Sequence, residues 1–174
     1  MRDSSFRLNL HELPRRAGEM REYQLEIPSP ERIGTPLIGI EKGALIDVDV
    51  KAEAVDDGIL ISASISSNVK GECGRCLTEI ERTVDQNFQE LYFYENRKPE
   101  DQDSDFFVMD SDVADLEGAI RDAVILALPI NPLCRPDCPG LCSICGEKWE
   151  TLPQSHSHEV VDSRWSGLAG WKGE

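Results

Sequence analysis

Six cysteines constrain this chain more tightly than any other feature, because all of them lie at or beside turn residues rather than on the apolar face of a regular element. Cys73 and Cys76 enclose Gly74-Arg75. After fifty-seven intervening residues come Cys134, Cys138, Cys142 and Cys145, punctuated by Pro136, Pro139, Gly140 and Gly146. A Cys-x-x-Cys turn aims two thiolates at a common point about 2.3 Å away, and two such turns can furnish the four soft ligands of a tetrahedral zinc site. Six candidates for four places leave three arrangements open. Cys73 and Cys76 can join Cys134 and Cys138; the two Cys-x-x-Cys pairs can meet as in a zinc ribbon, using Cys142 and Cys145; or the four C-terminal cysteines can bind alone. A site filled by four thiolates has no open position and is structural. His11, His156 and His158 could complete a site, but His156 and His158 lie in a polar tail and read as solvated.

The surroundings favour metal over other cysteine chemistry. The N-terminus alternates polar with apolar residues and lacks the apolar core of a signal peptide, so the expected location is cytoplasmic, where thiols stay reduced. The longest apolar run, Ala123 to Ile130, is too short to span a bilayer. Cys76 leads into a strand-like run instead of the helix that a thioredoxin-type site needs.

The hydrophobic pattern predicts an α+β fold. Ser5 to Leu10 and Glu22 to Ile27 alternate as short strands. The run from Leu45 to Ala54, the turn Asp56-Asp57-Gly58 and the run from Ile59 to Val69 read as a β-hairpin, and a third long strand follows Cys76. The Cys73–Cys76 turn therefore sits between the second and third strands of an antiparallel meander. One main helix caps that sheet: Leu116, Ile120, Ala123, Val124 and Ala127 share a face, Ser111 or Asp112 is placed to cap its start, and Pro129 ends it. Residues 1–132 form this body, with an acidic loop at about 95–112. Residues 133–174 form a Cys-rich, zinc-knuckle-like segment and tail packed on it, in which Val161, Trp165 and Leu168 stand at helical spacing.

Charge restricts partners. Eighteen Lys and Arg against thirty-three Asp and Glu give a net charge of −15, which excludes a protein that coats nucleic acid. Residues 1–32 hold six Arg and six acids and are neutral, so the excess lies in the body. Arg7, Arg15, Arg16 and Arg21 are the candidates for local RNA contact, and the acidic surface suits a basic protein. No phosphate-binding Gly loop or nucleophile elbow is present, and the acid pairs Asp47/Asp49 and Asp56/Asp57 read as solvated.

Together, Val69-Lys-Gly-Glu-Cys73-Gly-Arg-Cys76-Leu77, the acidic stretch leading into Asp115-Leu-Glu-Gly-Ala-Ile-Arg-Asp-Ala-Val-Ile-Leu-Ala-Leu-Pro129, and Asn131-Pro-Leu-Cys134 through Gly140-Leu-Cys142-Ser-Ile-Cys145-Gly146 resemble the bacterial YceD family, or domain of unknown function 177. The closing Val161-Asp-Ser-Arg-Trp165-Ser-Gly-Leu168 is similar to the end of its high-GC Gram-positive members. The resemblance implies a non-enzymatic factor needed for accumulation of large-subunit (23S) ribosomal RNA. Its implied partners are the large-subunit RNA precursor, basic ribosomal proteins or assembly factors, with no small-molecule substrate and no membrane. It also implies that the first Cys pair is commonly shared, whereas some members lack the second and keep a His or Cys near the positions of Cys134 and Cys138. The first and second zinc arrangements then stand level. The alternative from another class is a redox- or metal-responsive regulator that switches through its Cys pairs.

Overall fold

The computed structural model describes residues 5–99, 106–158 and Arg164. In chain order its elements are β1 (Arg7–Asn9), β2 (Met20–Pro28), β3 (Ile33–Gly34), β4 (Ile38–Ile40), β5 (Leu45–Ala54), β6 (Gly58–Glu72), β7 (Glu79–Phe93), a 3-10 turn (Glu95–Arg97), β8 (Phe107–Val108), β9 (Val113–Asp115) and α1 (Glu117–Ala127).

Strict alternation makes β5, β6 and β7 the meander that the sequence predicts. Ile46, Val48, Val50, Ala52 and Ala54 of β5 point to one side, and on β6 Ile59, Ile61, Ala63, Ile65 and Val69 point to the same side. The register places Val50 opposite Ala63 and Val48 opposite Ile65, so both apolar rows fall on one face. The other face carries Asp47, Asp49, Ser62, Ser64, Asp85 and Gln89 toward solvent or partly so, in keeping with the solvated reading of Asp47 and Asp49. The turn between β5 and β6 closes where Asp-Gly predicts, with Val55 N–H donating to the Gly58 carbonyl at 2.9 Å.

β6 pairs with β7 over its whole length, from Gly58 opposite Phe93 to Glu72 opposite Glu79. On its other edge it pairs first with β5 and then, past the end of β5, with β4 through Ile38 and Gly39. The sequence reading did not mark β3 and β4, because strands of two and three residues with Gly34 and Gly39 in them show no period. The two glycines let them cross closely: a Cβ on Gly39 would stand 2.6 Å from the Ile33 carbonyl oxygen.

The helix covers the apolar face as expected. Leu116, Ile120 and Val124 are fully buried, and α1 packs against β7 and β3. Leu128, which precedes Pro129, turns extended and ends it. Its start differs from the expectation. Neither Ser111 nor Asp112 caps it, because Val113–Asp115 forms β9 and pairs with β1, which places those two residues in a tight turn before the strand. Asp115 Oδ1 instead accepts the Glu117 N–H at 3.0 Å, and Leu116 is the first flanking residue. The acidic segment is likewise not all loop. Phe107–Val108 pairs in parallel with the end of β7, and Phe107 stacks on Tyr92 with ring centroids 5.1 Å apart. The predicted spacing of Val161, Trp165 and Leu168 lies outside the described residues.

Candidate metal centres

The β6–β7 connection is a tight turn whose shape follows from two backbone hydrogen bonds. Leu77 N–H donates to the Cys73 carbonyl at 2.9 Å, and Cys73 N–H donates to the Thr78 carbonyl at 2.8 Å. Leu77 takes a left-handed φ of 57° to complete the loop. A second turn of the same design occurs at the other Cys-x-x-Cys. Gly146 N–H donates to the Cys142 carbonyl at 2.9 Å, Cys142 N–H donates to the Glu147 carbonyl at 2.8 Å, and Gly146 has φ 74°. Each is a knuckle that presents two sulfurs in one direction, and in each the fourth residue after the first Cys is left-handed.

After α1 the chain returns beneath the first knuckle. Gly74 N–H donates to the Pro132 carbonyl at 2.8 Å, Arg75 Nη1 donates to the Cys138 carbonyl at 2.9 Å, and Arg82 Nη2 donates to the Leu133 carbonyl at 2.5 Å. These bonds bring Cys134 and Cys138 to Cys73 and Cys76. The sulfurs of Cys76 and Cys134 are 3.6 Å apart and those of Cys73 and Cys138 3.8 Å. All four lie within 4.8 Å of one another. Four ligands at a zinc–sulfur distance of about 2.3 Å define a tetrahedron with an edge of roughly 3.8 Å. The cysteine residues therefore fit a tetrahedral cation, while a disulfide would need sulfurs about 2.05 Å apart. Cys73, Cys76 and Cys138 are buried and Cys134 is exposed.

The thiols of this inner cluster are electrostatically unequal. Burial works against ionisation of Cys73, but backbone N–H groups of Cys134, Arg75 and Cys76 hold it down to about 6. The Thr78 hydroxyl, 3.1 Å from Cys76 Sγ, lowers Cys76 as well. Desolvation and then the neighbouring thiols push Cys134 up to about 12, and desolvation raises Cys138. Cys73 and Cys76 are thus the more readily ionised pair, and a cation at the centre would favour loss of the protons of Cys134 and Cys138.

Cys142 and Cys145 join neither Cys73 nor Cys134. They meet His156 and His158, and the ligand atoms of these four lie within 4.8 Å of one another. Cys145 Sγ is 3.7 Å from His156 Nε2. This corrects the reading of both histidines as solvated tail residues. Pro153 turns the chain back, with His156 N–H donating to its carbonyl at 2.9 Å, and the Trp149 ring meets the His156 ring edge-on at 5.5 Å between centroids. Of the three arrangements open in the sequence, the structure assembles the first, and the pair left over acquires its own partners. The ten residues between Cys145 and His156 were the available signal, obscured by the polar composition of that stretch.

Of the four N-terminal arginines that were candidates for RNA contact, three are engaged by acids. Arg7 donates to Asp110 at 2.8 Å, Arg15 donates to Asp112 at 2.5 Å and lies over the Tyr94 ring, and Arg21 pairs with Glu12. Arg16 is exposed. No helix among the described residues is long and apolar enough to cross a membrane.

Comparison with known proteins gives the chain a family. The family described as "Large ribosomal RNA subunit accumulation protein YceD" matches residues 61–172, a stretch that contains both knuckles and α1. An uncharacterized protein of Mycobacterium tuberculosis and one of Mycobacterium bovis are each 40% identical over 168 residues, covering 95% of this chain and 80% of theirs. One of Mycobacterium leprae is 36% identical over 159 residues, covering 90% of this chain and 72% of its own. No solved structure matches. With a match of that extent and relatives aligned along nearly its whole length, the chain belongs to the YceD family.

Proposed function

We propose that this chain is a non-enzymatic binding module of large-subunit ribosome assembly, which sustains accumulation of 23S ribosomal RNA and whose body is held by a structural zinc ion. The family match over residues 61–172 carries the assignment to ribosomal RNA accumulation. The tetrahedral spacing of Cys73, Cys76, Cys134 and Cys138 supports the zinc. Four thiolates around a divalent cation leave a charge of −2 in a chain already at −15. The exposed sheet face adds Asp47, Asp49 and Asp85. Such a surface repels RNA and attracts basic proteins, so the first partners are basic ribosomal proteins or assembly factors. The ion pairs of Arg7, Arg15 and Arg21 with Asp110, Asp112 and Glu12 leave those side chains little free charge for phosphate, which puts Arg16 first among the N-terminal arginines for any RNA contact.

Affinity purification of the tagged chain from its own cells, with and without ribonuclease, tests the reading. Enrichment of large-subunit proteins that survives ribonuclease supports contact through protein, and loss of precursor 23S RNA and subunit proteins together on ribonuclease treatment supports contact through RNA. Enrichment of neither under both conditions overturns the assignment. Titration of thiols in the native protein across redox poises addresses the regulatory alternative. Zinc held tightly at every poise, with the thiols that ligate it protected throughout, excludes a redox switch.

A further inference from the structure

We infer that Cys142, Cys145, His156 and His158 form a second zinc site, separate from the four-cysteine cluster, so that the chain carries two zinc ions of different ligand type. Three independent observations converge on it. The first is the knuckle itself. The Cys142–Cys145 turn repeats the two backbone hydrogen bonds and the left-handed fifth position of the Cys73–Cys76 turn, so its sulfurs are presented in the same way. The second is the distance. For zinc bonded to one sulfur at about 2.3 Å and one imidazole nitrogen at about 2.05 Å, the tetrahedral edge is roughly 3.6 Å, and Cys145 Sγ lies 3.7 Å from His156 Nε2.

The third is His158. Its Nε2 is sealed from solvent and has no hydrogen-bond partner, although the ring is packed edge-on against His156 with centroids 4.4 Å apart. A buried ring nitrogen without a partner is unfavourable, because its lost contact with water is not replaced. A cation at the centre of the cluster supplies the missing interaction.

Two sulfurs and two imidazoles in a tetrahedron select zinc over hard cations. Two thiolates and two neutral imidazoles balance a divalent charge, so this ion adds nothing to the acidity of the chain, unlike the inner site. Its structural work is local. It ties His158 back to a knuckle that is already attached to the body, since Trp149 N–H donates to the Gly140 carbonyl at 3.1 Å and Lys148 Nζ donates to Thr78 Oγ1 at 2.7 Å. The inference is independent of the ribosomal assignment.

Zinc per chain in the full-length protein, measured by plasma mass spectrometry after exchange into metal-free buffer, tests it. The wild type is expected to hold about two ions and the double variant His156→Ala/His158→Ala about one, with an unchanged far-UV circular dichroism spectrum. One ion in the wild type overturns the inference, as do two ions retained in a folded double variant. Cobalt(II) titration of the metal-stripped wild type covers the case in which the variant fails to fold. A second equivalent that adds ligand-field absorption of the mixed sulfur–nitrogen type supports the site, and saturation at one equivalent with a four-sulfur spectrum overturns it.

Discussion

The two Cys-x-x-Cys turns share a backbone design and differ in what they close. The Cys73–Cys76 knuckle sits at the tip of the longest hairpin and reaches partners 58 and 65 residues away, whereas Cys145 meets a histidine only 11 residues on. Loop-closure entropy rises by about 0.6 kcal/mol for each doubling of length, so closure of the inner loop costs roughly 1.5 kcal/mol more in the open chain. That cost is met by sheet pairing and by burial of α1 before any cation binds. A ligand turn can therefore be a local object while the site it completes is either global, as at Cys73, or local, as at Cys142.

This difference is open to direct attack. The largest effect is expected from Cys73→Ser, which leaves three ligands in a buried site: loss of the inner ion and destabilisation by about 4 kcal/mol or more in urea unfolding. Cys142→Ser should cost about 1 kcal/mol and leave the far-UV spectrum intact. Equal losses from the two would erase the distinction between global and local closure. Between these two in size is Ile61→Ala, fully buried on β6, expected to cost about 3 kcal/mol while the metal content stays unchanged. Metal lost together with that side chain would mean that sheet packing and ion binding are one cooperative event at the inner site.

The fifth position of each knuckle offers a finer test. Leu77 is 58% exposed and left-handed, whereas the corresponding Gly146 carries no Cβ to strain. Leu77→Gly should raise stability by about 1 kcal/mol and Gly146→Ala should lower it by a similar amount, read from urea midpoints. The smallest effect is electrostatic. Hydrogen bonds from His11 and Arg15 hold the Asp112 carboxyl below its ordinary value of 3.8. A lowered folded-state pKa means that this contribution is fully present above pH 3.8 and disappears as pH falls through the folded value. Asp112→Asn should remove that small acid limb from the stability profile, and an unchanged limb would show the exposed pair to be energetically silent.

Much of this was legible residue by residue. Alternation over Leu45–Ala54 and Ile59–Val69, Asp-Gly between them, and the stripe from Leu116 to Ala127 each depend on contacts within a single element, and the structure reproduces all three. The reading of the helix start went astray because Ser111 and Asp112 are good caps only if the helix begins beside them. Pairing of Val113–Asp115 with Arg7–Asn9, more than one hundred residues earlier, claims the intervening backbone instead. The histidines read as solvated for a related reason. A polar sequence around His156 and His158 is compatible with solvent, and only the reversal at Pro153 with Trp149 packing on His156 turns the two rings inward.

The sequence by itself determined that the chain forms a meander under a helix, that its cysteines lie in turns, and that its net charge is −15. Those properties come from composition and short periods, which act within a few residues. Which cysteines meet was decided only by tertiary structure. It required the full pairing of Gly58–Glu72 with Glu79–Phe93 to place one knuckle, and the return of the chain after Pro129 to place its partners. Spacing along a chain records which ligands are available. Distances of 3.6 and 3.8 Å between sulfurs arise only when long-range hydrogen bonds and core packing bring separate turns to one point.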